Sequence, residues 1–161
     1  MSVITNIIHM LAPLTANCRE FHQRWEQAPL AGAGAVAGCW EGEWISDASG
    51  HRGRLRCVID PVTPILWRMY FRGEYSKVFR ACYATDFNVT EEADRWRFSG
   101  GSDLGALAGG AYEYAGSATR ERLACTYRSS RDHGQFMLTK FSSTVPASKL
   151  GVGSWRLEVD S

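Results

Sequence analysis

The sequence predicts a mainly β protein, an antiparallel up-and-down β-barrel of about eight strands with two short N-terminal α-helices. From Gly38 onward, aromatic and β-branched residues alternate with Arg, Glu, Ser and Thr, which is the period of a half-buried strand. Gly, Pro, Asp or Asn residues bound eight such runs, and nearly all the intervening loops are short enough for hairpins. Eight antiparallel strands are enough to close into a barrel, which removes the exposed edges of a flat sheet.

One domain accounts for the length of 161 residues, since compact domains cluster at roughly 100–150 residues. Its predicted parts are N-terminal helices in residues 1–30, a linker in 31–37, the barrel in 38–142 and a tail in 143–161. The 18 basic and 17 acidic residues balance to a net charge of +1, which argues against a nucleic-acid partner. No apolar run approaches the roughly 18 residues of a membrane span.

Two helical segments are predicted before the barrel. Residues 2–12 place aliphatic side chains on one face at helical spacing. A second helix, which begins with a capping-box variant at residue 17 and runs to about residue 28, buries Phe21 and Trp25 four positions apart. The small residues of 31–37 predict a linker. The helices are expected to cap one end of the barrel.

Period-two alternation then predicts the strands one after another. They cover about 38–46, 53–60, 65–72, 75–87, 94–100, 110–116, 119–128 and 134–142. The fourth of these runs differs from the others because both of its faces are partly apolar. Its outer face is therefore expected to lie beneath a helix.

The first hairpin has a register that its charges predict. Placing Glu43 opposite Arg54 also places Glu41 opposite Arg56, so two opposite-charge pairs share one face. Trp40 and its inward neighbours then face the interior. A slip of one residue would turn them to solvent, so the register is strongly specified.

The five cysteines are odd in number and widely spaced, without a C-x-x-C pair. Four fall inside predicted strands, which is typical of small buried apolar residues in a reducing compartment. We therefore expect buried thiols and a cytoplasmic location. The first 14 residues show neither a basic region nor a small-residue cleavage site, so no signal peptide is predicted.

The segment Gly42-Glu43-Trp44, on the first strand after an N-terminal helix, resembles the G-x-W signature of the lipocalin-like (calycin-type) barrels. The resemblance implies that Trp44 sits at the closed base of the barrel, with Arg122 or Arg128 packed across it. Gly42, Trp44 and Arg128 would then be structural. Members of the family typically bind small apolar or amphipathic ligands in the barrel, and a few are isomerases or cyclases.

The favoured function is binding of a small apolar or aromatic molecule inside the barrel. The predicted lining consists of Trp40, Trp67, Trp96, Tyr112 and Tyr127, and Leu104 belongs to a glycine-rich segment at 100–110 that is expected to form a flap at the mouth. No metal site is predicted, the cofactor is unknown, and the sequence leaves homo-oligomerisation open.

Two alternatives stay open. Up-and-down topology places His51, His133 and Asp132 in loops at one end, where they could perform general acid–base chemistry in a small isomerase or lyase. Ordinary turn composition explains the same residues. The second alternative is a structural or partner-binding domain that works through the fourth strand and the tail, residues 143–161.

Overall fold

The eight predicted strands form a closed antiparallel barrel in the computed structural model, which describes residues 18–28, 36–75, 79–105 and 110–141. Helix α1 covers residues 18–28. The strands are β1 (Gly38–Ser46), β2 (Arg52–Thr63), β3 (Leu66–Tyr75), β4 (Phe79–Glu92), β5 (Arg95–Asp103), β6 (Ala111–Ala118), β7 (Arg122–Arg128) and β8 (His133–Lys140). Each strand pairs with the next, and β1 pairs with β8. The predicted helix at 2–12 and the tail at 143–161 lie outside the described residues.

The register predicted for the first hairpin is confirmed. Glu43 lies opposite Arg54 and Glu41 opposite Arg56 in the β1–β2 ladder. Glu41 also forms the expected ion pair with Arg56, at 3.4 Å. The Glu43 carboxylate instead binds the diagonal neighbour Arg52, at 3.1 Å. The face of each residue therefore follows from the alternation, whereas the choice of ionic partner does not.

An aromatic core lies inside the barrel, as the alternation predicts. Along β7 and β8 every second residue is buried, and the residues between them are exposed or half-exposed. The largest fully buried side chains include Trp40, Phe71 and Phe87. Burying one such ring contributes roughly 1.5–3 kcal/mol to folding. Arginines alternate with these rings on the outer face, where their charges remain hydrated.

Helix α1 packs on the outer wall of the barrel, so the expectation that it caps one end is wrong. Its buried Phe21 joins a cluster with outward-facing residues of four successive strands, Cys39, Val58, Tyr70 and Cys82. This apolar patch on the wall is the surface that the apolar face of α1 can cover. The placement agrees with the expectation that a helix covers the outer face of the fourth strand. No helix in the described ranges is long and apolar enough to span a bilayer.

A disulfide joins α1 to this wall. Cys18 and Cys82 are bonded across 64 residues of sequence, which corrects the prediction of five buried thiols. Cys39, Cys57 and Cys125 are buried free thiols, and burial raises the pKa of Cys39 to about 11. Structural disulfides persist in oxidising compartments. The cytoplasmic location therefore stays a prediction that the cysteines no longer support.

The pairing of β1 with β8, which closes the barrel, is here called the seam. The two strands approach so closely there that position 42 requires a glycine. A Cβ atom at Gly42 would overlap the backbone carbonyl oxygen of Met137 on β8, and neither backbone can move without opening the sheet. At Gly73 the nearest atom to an added Cβ is the Leu55 Cδ1, at 3.8 Å, which is ordinary contact. Two inward-facing glycines thus have different functions, one in closure and one in leaving space.

Removing the disulfide is expected to lower the free energy of unfolding by about 2–4 kcal/mol. The bond closes a long loop that restricts the unfolded chain, so its removal raises the conformational entropy of the unfolded state. The test compares Cys18→Ala/Cys82→Ala with the parent protein in urea denaturation, with and without dithiothreitol. Cys39→Ala, which changes a neighbouring free thiol, is the control. Parent protein that keeps its full stability under complete reduction would contradict the prediction.

Gly42→Ala is expected to destabilise the barrel by about 1–3 kcal/mol, because the added methyl group meets backbone rather than a movable side chain. Gly73→Ala, by contrast, places its methyl group in ordinary contact with Leu55 and is expected to change stability by less than half as much. Thermal unfolding followed by circular dichroism compares the two. Equal losses would show that contact with the Met137 backbone does not make position 42 more sensitive than position 73.

Candidate functional site

The end of the barrel that contains Trp40, here called the base, is closed. The Trp40 side chain is fully buried, and its Nε1 donates a hydrogen bond to the Val36 carbonyl oxygen at 2.9 Å. The ammonium group of Lys140 lies 5.2 Å from the centre of the Trp40 ring and donates to the Ala37 carbonyl oxygen. Burial lowers the pKa of Lys140. A cation over an indole therefore seals this end.

Trp44 lies towards the opposite end, here called the mouth, where the loops at 47–51 and 129–132 join their strands. Its Nε1 donates to the Glu74 carbonyl oxygen at 3.1 Å, and its ring stacks 6.1 Å from that of Tyr75. Arg122 and Arg128 are exposed on the outer face of β7. The placement of an arginine across Trp44 that the resemblance implied is therefore wrong, because alternation turns both arginines outward. The cation that lies over an indole within the described residues is Lys140, over Trp40 at the base.

The lower interior is filled by its own side chains. Trp67 is 2% exposed and lies 6.2 Å from Trp96 and 5.9 Å from Phe98, measured between ring centres. Phe87 contacts Phe98 edge-on at 5.4 Å. The structure thus places the predicted ligand contacts Trp40, Trp67 and Trp96 in one packed hydrophobic cluster, where Trp67 contacts Trp96.

Inward-facing residues near the mouth remain partly accessible, and this part of the interior is here called the cup. They share small or hydroxyl-bearing side chains, apart from one indole: Trp44, Gly73, Ala81, Tyr83, Ser102 and Tyr112. The Tyr112 ring lies 6.1 Å from that of Tyr127, a second predicted contact. Leu104 is half-buried at the start of the β5–β6 loop, and its N–H donates to the Gly110 carbonyl oxygen. Three predicted ligand contacts therefore lie at or beside the cup.

A chain of hydroxyl groups lines the cup. Tyr83 lies close enough to Tyr114 for each phenol to affect the other's pKa, and the Tyr114 hydroxyl lies 3.2 Å from the Ser102 Oγ. Burial raises the pKa of Tyr83 well above its usual value of 10.0 and also raises that of Tyr114. Both phenols are therefore neutral donors at physiological pH. The alternation along β4 and β6 predicts that both tyrosines point inward, but it does not predict that the Tyr114 hydroxyl meets Ser102.

Thr85 lies on the same inward face of β4 as Tyr83, two residues further from the mouth. The residue is 4% exposed, and its Oγ1 makes no hydrogen bond to any residue that the structure describes. A buried hydroxyl without a partner costs about 1–3 kcal/mol. Thr85 is thus a polar group at the floor of the cup. Its unpartnered hydroxyl lowers the stability of the barrel.

No hydrogen bond, ion pair or ring contact joins the side chains of the rim residues predicted for catalysis, His51, His133 and Asp132. His51 lies edge-on to Tyr75, with its Nε2 3.2 Å from the Tyr75 hydroxyl. His133 is exposed on the outer face, opposite Arg128. Asp132 accepts a hydrogen bond from the Ser46 Oγ, which is buried. No group of three metal-ligating side chains occurs within the described ranges.

The outer wall offers shallower alternatives. Two grooves, of about 560 and 890 Å³, run across the outer faces of β4 to β8 and share Asn88, Ser99, Ala115 and Thr126 as lining residues. These four residues are exposed, and the floor between them is hydrogen-bonded sheet. The grooves contain no buried polar group in need of a partner, in contrast to the cup.

No protein-family model and no curated protein sequence matches this chain. Among solved structures, the chain is similar to a redesigned β-barrel, mFAP1, determined bound to DFHBI, at 11% identity and a TM-score of 0.51. That similarity covers 66% of this chain and 95% of mFAP1. The chain is also similar to Rv2717c from M. tuberculosis, at 10% identity and a TM-score of 0.50, over 70% of this chain and 97% of the other. Such identities show the fold alone, and the closed antiparallel β-barrel of eight strands predicted from the sequence is confirmed.

Replacing Thr85 by Val is expected to raise the free energy of unfolding by about 1 kcal/mol, because it removes an unpartnered hydroxyl at nearly constant shape. Ser46→Ala is the contrasting variant. It removes a buried hydroxyl that donates to Asp132, and a loss of similar size is expected. Urea denaturation of both variants measures the two changes. A loss of stability in Thr85→Val would show that this hydroxyl has a partner.

Proposed function

We propose that the protein binds a small aromatic or apolar molecule in the cup at the mouth of the barrel. The observation that carries the proposal is the division of the interior. The base is packed and capped by Lys140, whereas the inward residues around Tyr83 and Tyr112 remain partly accessible. A concave apolar surface with a few converging polar groups is the usual form of a small-molecule site.

The composition of the cup favours a flat molecule. Aromatic rings supply its walls, with Tyr112 stacked on Tyr114 at 6.2 Å and in contact with Tyr127. Gly73 and Ala81, which lie opposite each other on β3 and β4, leave the adjoining wall without a bulky side chain. Covering about 100 Å² of apolar surface on the ligand and a similar area of protein contributes on the order of 2.5 kcal/mol each.

The two alternative functions receive less support from the geometry. General acid–base chemistry by His51, His133 and Asp132 would require their side chains to meet, and no hydrogen bond, ion pair or ring contact joins any two of them. A partner site on the outer face of β4 would compete with α1, which is bonded to Cys82 there. Ligand binding in the cup requires neither rearrangement.

Filling the cup is expected to abolish binding. Ala81→Trp places an indole in the accessible space beside Gly73, whereas Ala124→Trp places the same side chain on the exposed outer face of β7. Titration with the uncharged fluorescent dye N-phenyl-naphthylamine measures binding. We expect saturable binding to the parent protein and to Ala124→Trp, and affinity at least about tenfold weaker in Ala81→Trp.

Circular dichroism and thermal unfolding establish that both variants keep the barrel. Equal dye binding by the two folded variants would place the dye outside the cup and refute the proposal. Absence of saturable binding by the parent protein would refute it as well.

A further inference from the structure

We infer that the ligand of the cup is uncharged and presents a hydrogen-bond acceptor, such as a carbonyl oxygen, to Thr85 and to the hydroxyl chain of Tyr83, Tyr114 and Ser102. The inference rests on the proposed function and specifies the chemical class of its ligand. It follows from three independent features of the cup: the number of its donors, the unpartnered hydroxyl at its floor, and the absence of a facing charge within the described strands.

The number of donors follows from the hydroxyl chain. Tyr83, Tyr114 and Ser102 each have one O–H donor, and the hydrogen bond between Tyr114 and Ser102 uses one of these donors. Whichever way this bond runs, at least one O–H remains without an acceptor inside the chain. The Tyr127 hydroxyl donates its own proton to the Ile45 carbonyl oxygen at 3.2 Å. The chain therefore has at least one donor to offer to a ligand.

Thr85 supplies a second donor at the floor. Its Oγ1 is buried and unpartnered among the described residues, and the residue faces inward between Tyr83 and Phe87. Residues two apart on a strand lie roughly 7 Å apart on one face, which is about the width of a substituted aromatic ring system. One ring-sized molecule is therefore long enough to span the distance between the tyrosine walls and Thr85.

The charge of the cup favours a neutral acceptor over an anion. The inward-facing residues near the mouth are uncharged along every described strand, and the inward-facing cation Lys140 lies at the base over Trp40. Asp132 adds negative charge at the rim, and this charge, after burial, contributes to raising the pKa of Tyr127. An anionic ligand would be desolvated without a cation to pair with it, at a cost of several kcal/mol.

Three matched naphthalenes, substituted at the same ring carbon, test the inference: methyl naphthyl ketone, naphthoate and ethylnaphthalene. They share one ring system and differ in having a neutral acceptor, an anionic acceptor or none. Equilibrium dialysis at neutral pH measures their affinities for the parent protein, Thr85→Val and the control Thr126→Val. Thr126 is exposed on the outer face of β7, so its substitution preserves the cup.

The expected result is that the parent protein binds the ketone about tenfold more tightly than the other two compounds. Thr85→Val should lose most of this preference and keep its affinity for ethylnaphthalene, whereas Thr126→Val should behave as the parent does. Equal affinity for ketone and hydrocarbon would overturn the inference and leave the proposed function standing. Tightest binding of naphthoate would overturn the requirement for a neutral ligand. If none of the three compounds binds, the proposed function itself is overturned.

Discussion

Closure of the sheet between β1 and β8 is the constraint on which the rest of the structure depends. It requires the two backbones to approach at Gly42, where any side chain would collide with Met137. Once the seam is closed, the register of every strand is fixed, because a shift by one residue would turn all its inward side chains to solvent. The packed base, the apolar patch beneath α1 and the hydroxyl chain of the cup are all consequences of that single register.

Eight strands enclose little more space than side chains fill, so the distribution of side-chain volume decides where a ligand fits. At the base, this space is occupied by large buried rings such as Trp40, Trp67 and Phe87. Towards the mouth the inward positions include Gly73, Ala81 and Ser102, and the rings beside them remain partly accessible. The gradient from large to small residues along the axis creates the cup without any break in the sheet.

Alternation along the chain was sufficient to predict the strands, their inward faces and the register of the first hairpin, because a strand's two faces differ in local sequence. The same alternation predicts the orientation of His133, which lies three residues before the inward-facing Phe136 and therefore points outward. The position of α1 and the Cys18–Cys82 bond depend on residues brought together from distant parts of the chain. The hydroxyl chain likewise joins β4, β5 and β6, so no short segment of sequence encodes it.

Strand β4 contributes both to the outer wall beneath α1 and to the cup, because its successive residues point to opposite faces of the sheet. Cys82 points outward and is bonded to α1, Tyr83 points inward and joins the hydroxyl chain, and Thr85 carries the unpartnered hydroxyl at the floor. A strand held from outside by a covalent bond keeps its inward side chains in place while their donors are still unsatisfied. In the proposed function, such preorganisation lowers the entropic cost of binding. The buried Thr85 hydroxyl reduces the stability of the barrel, and the Cys18–Cys82 disulfide on the same strand is positioned to offset that cost.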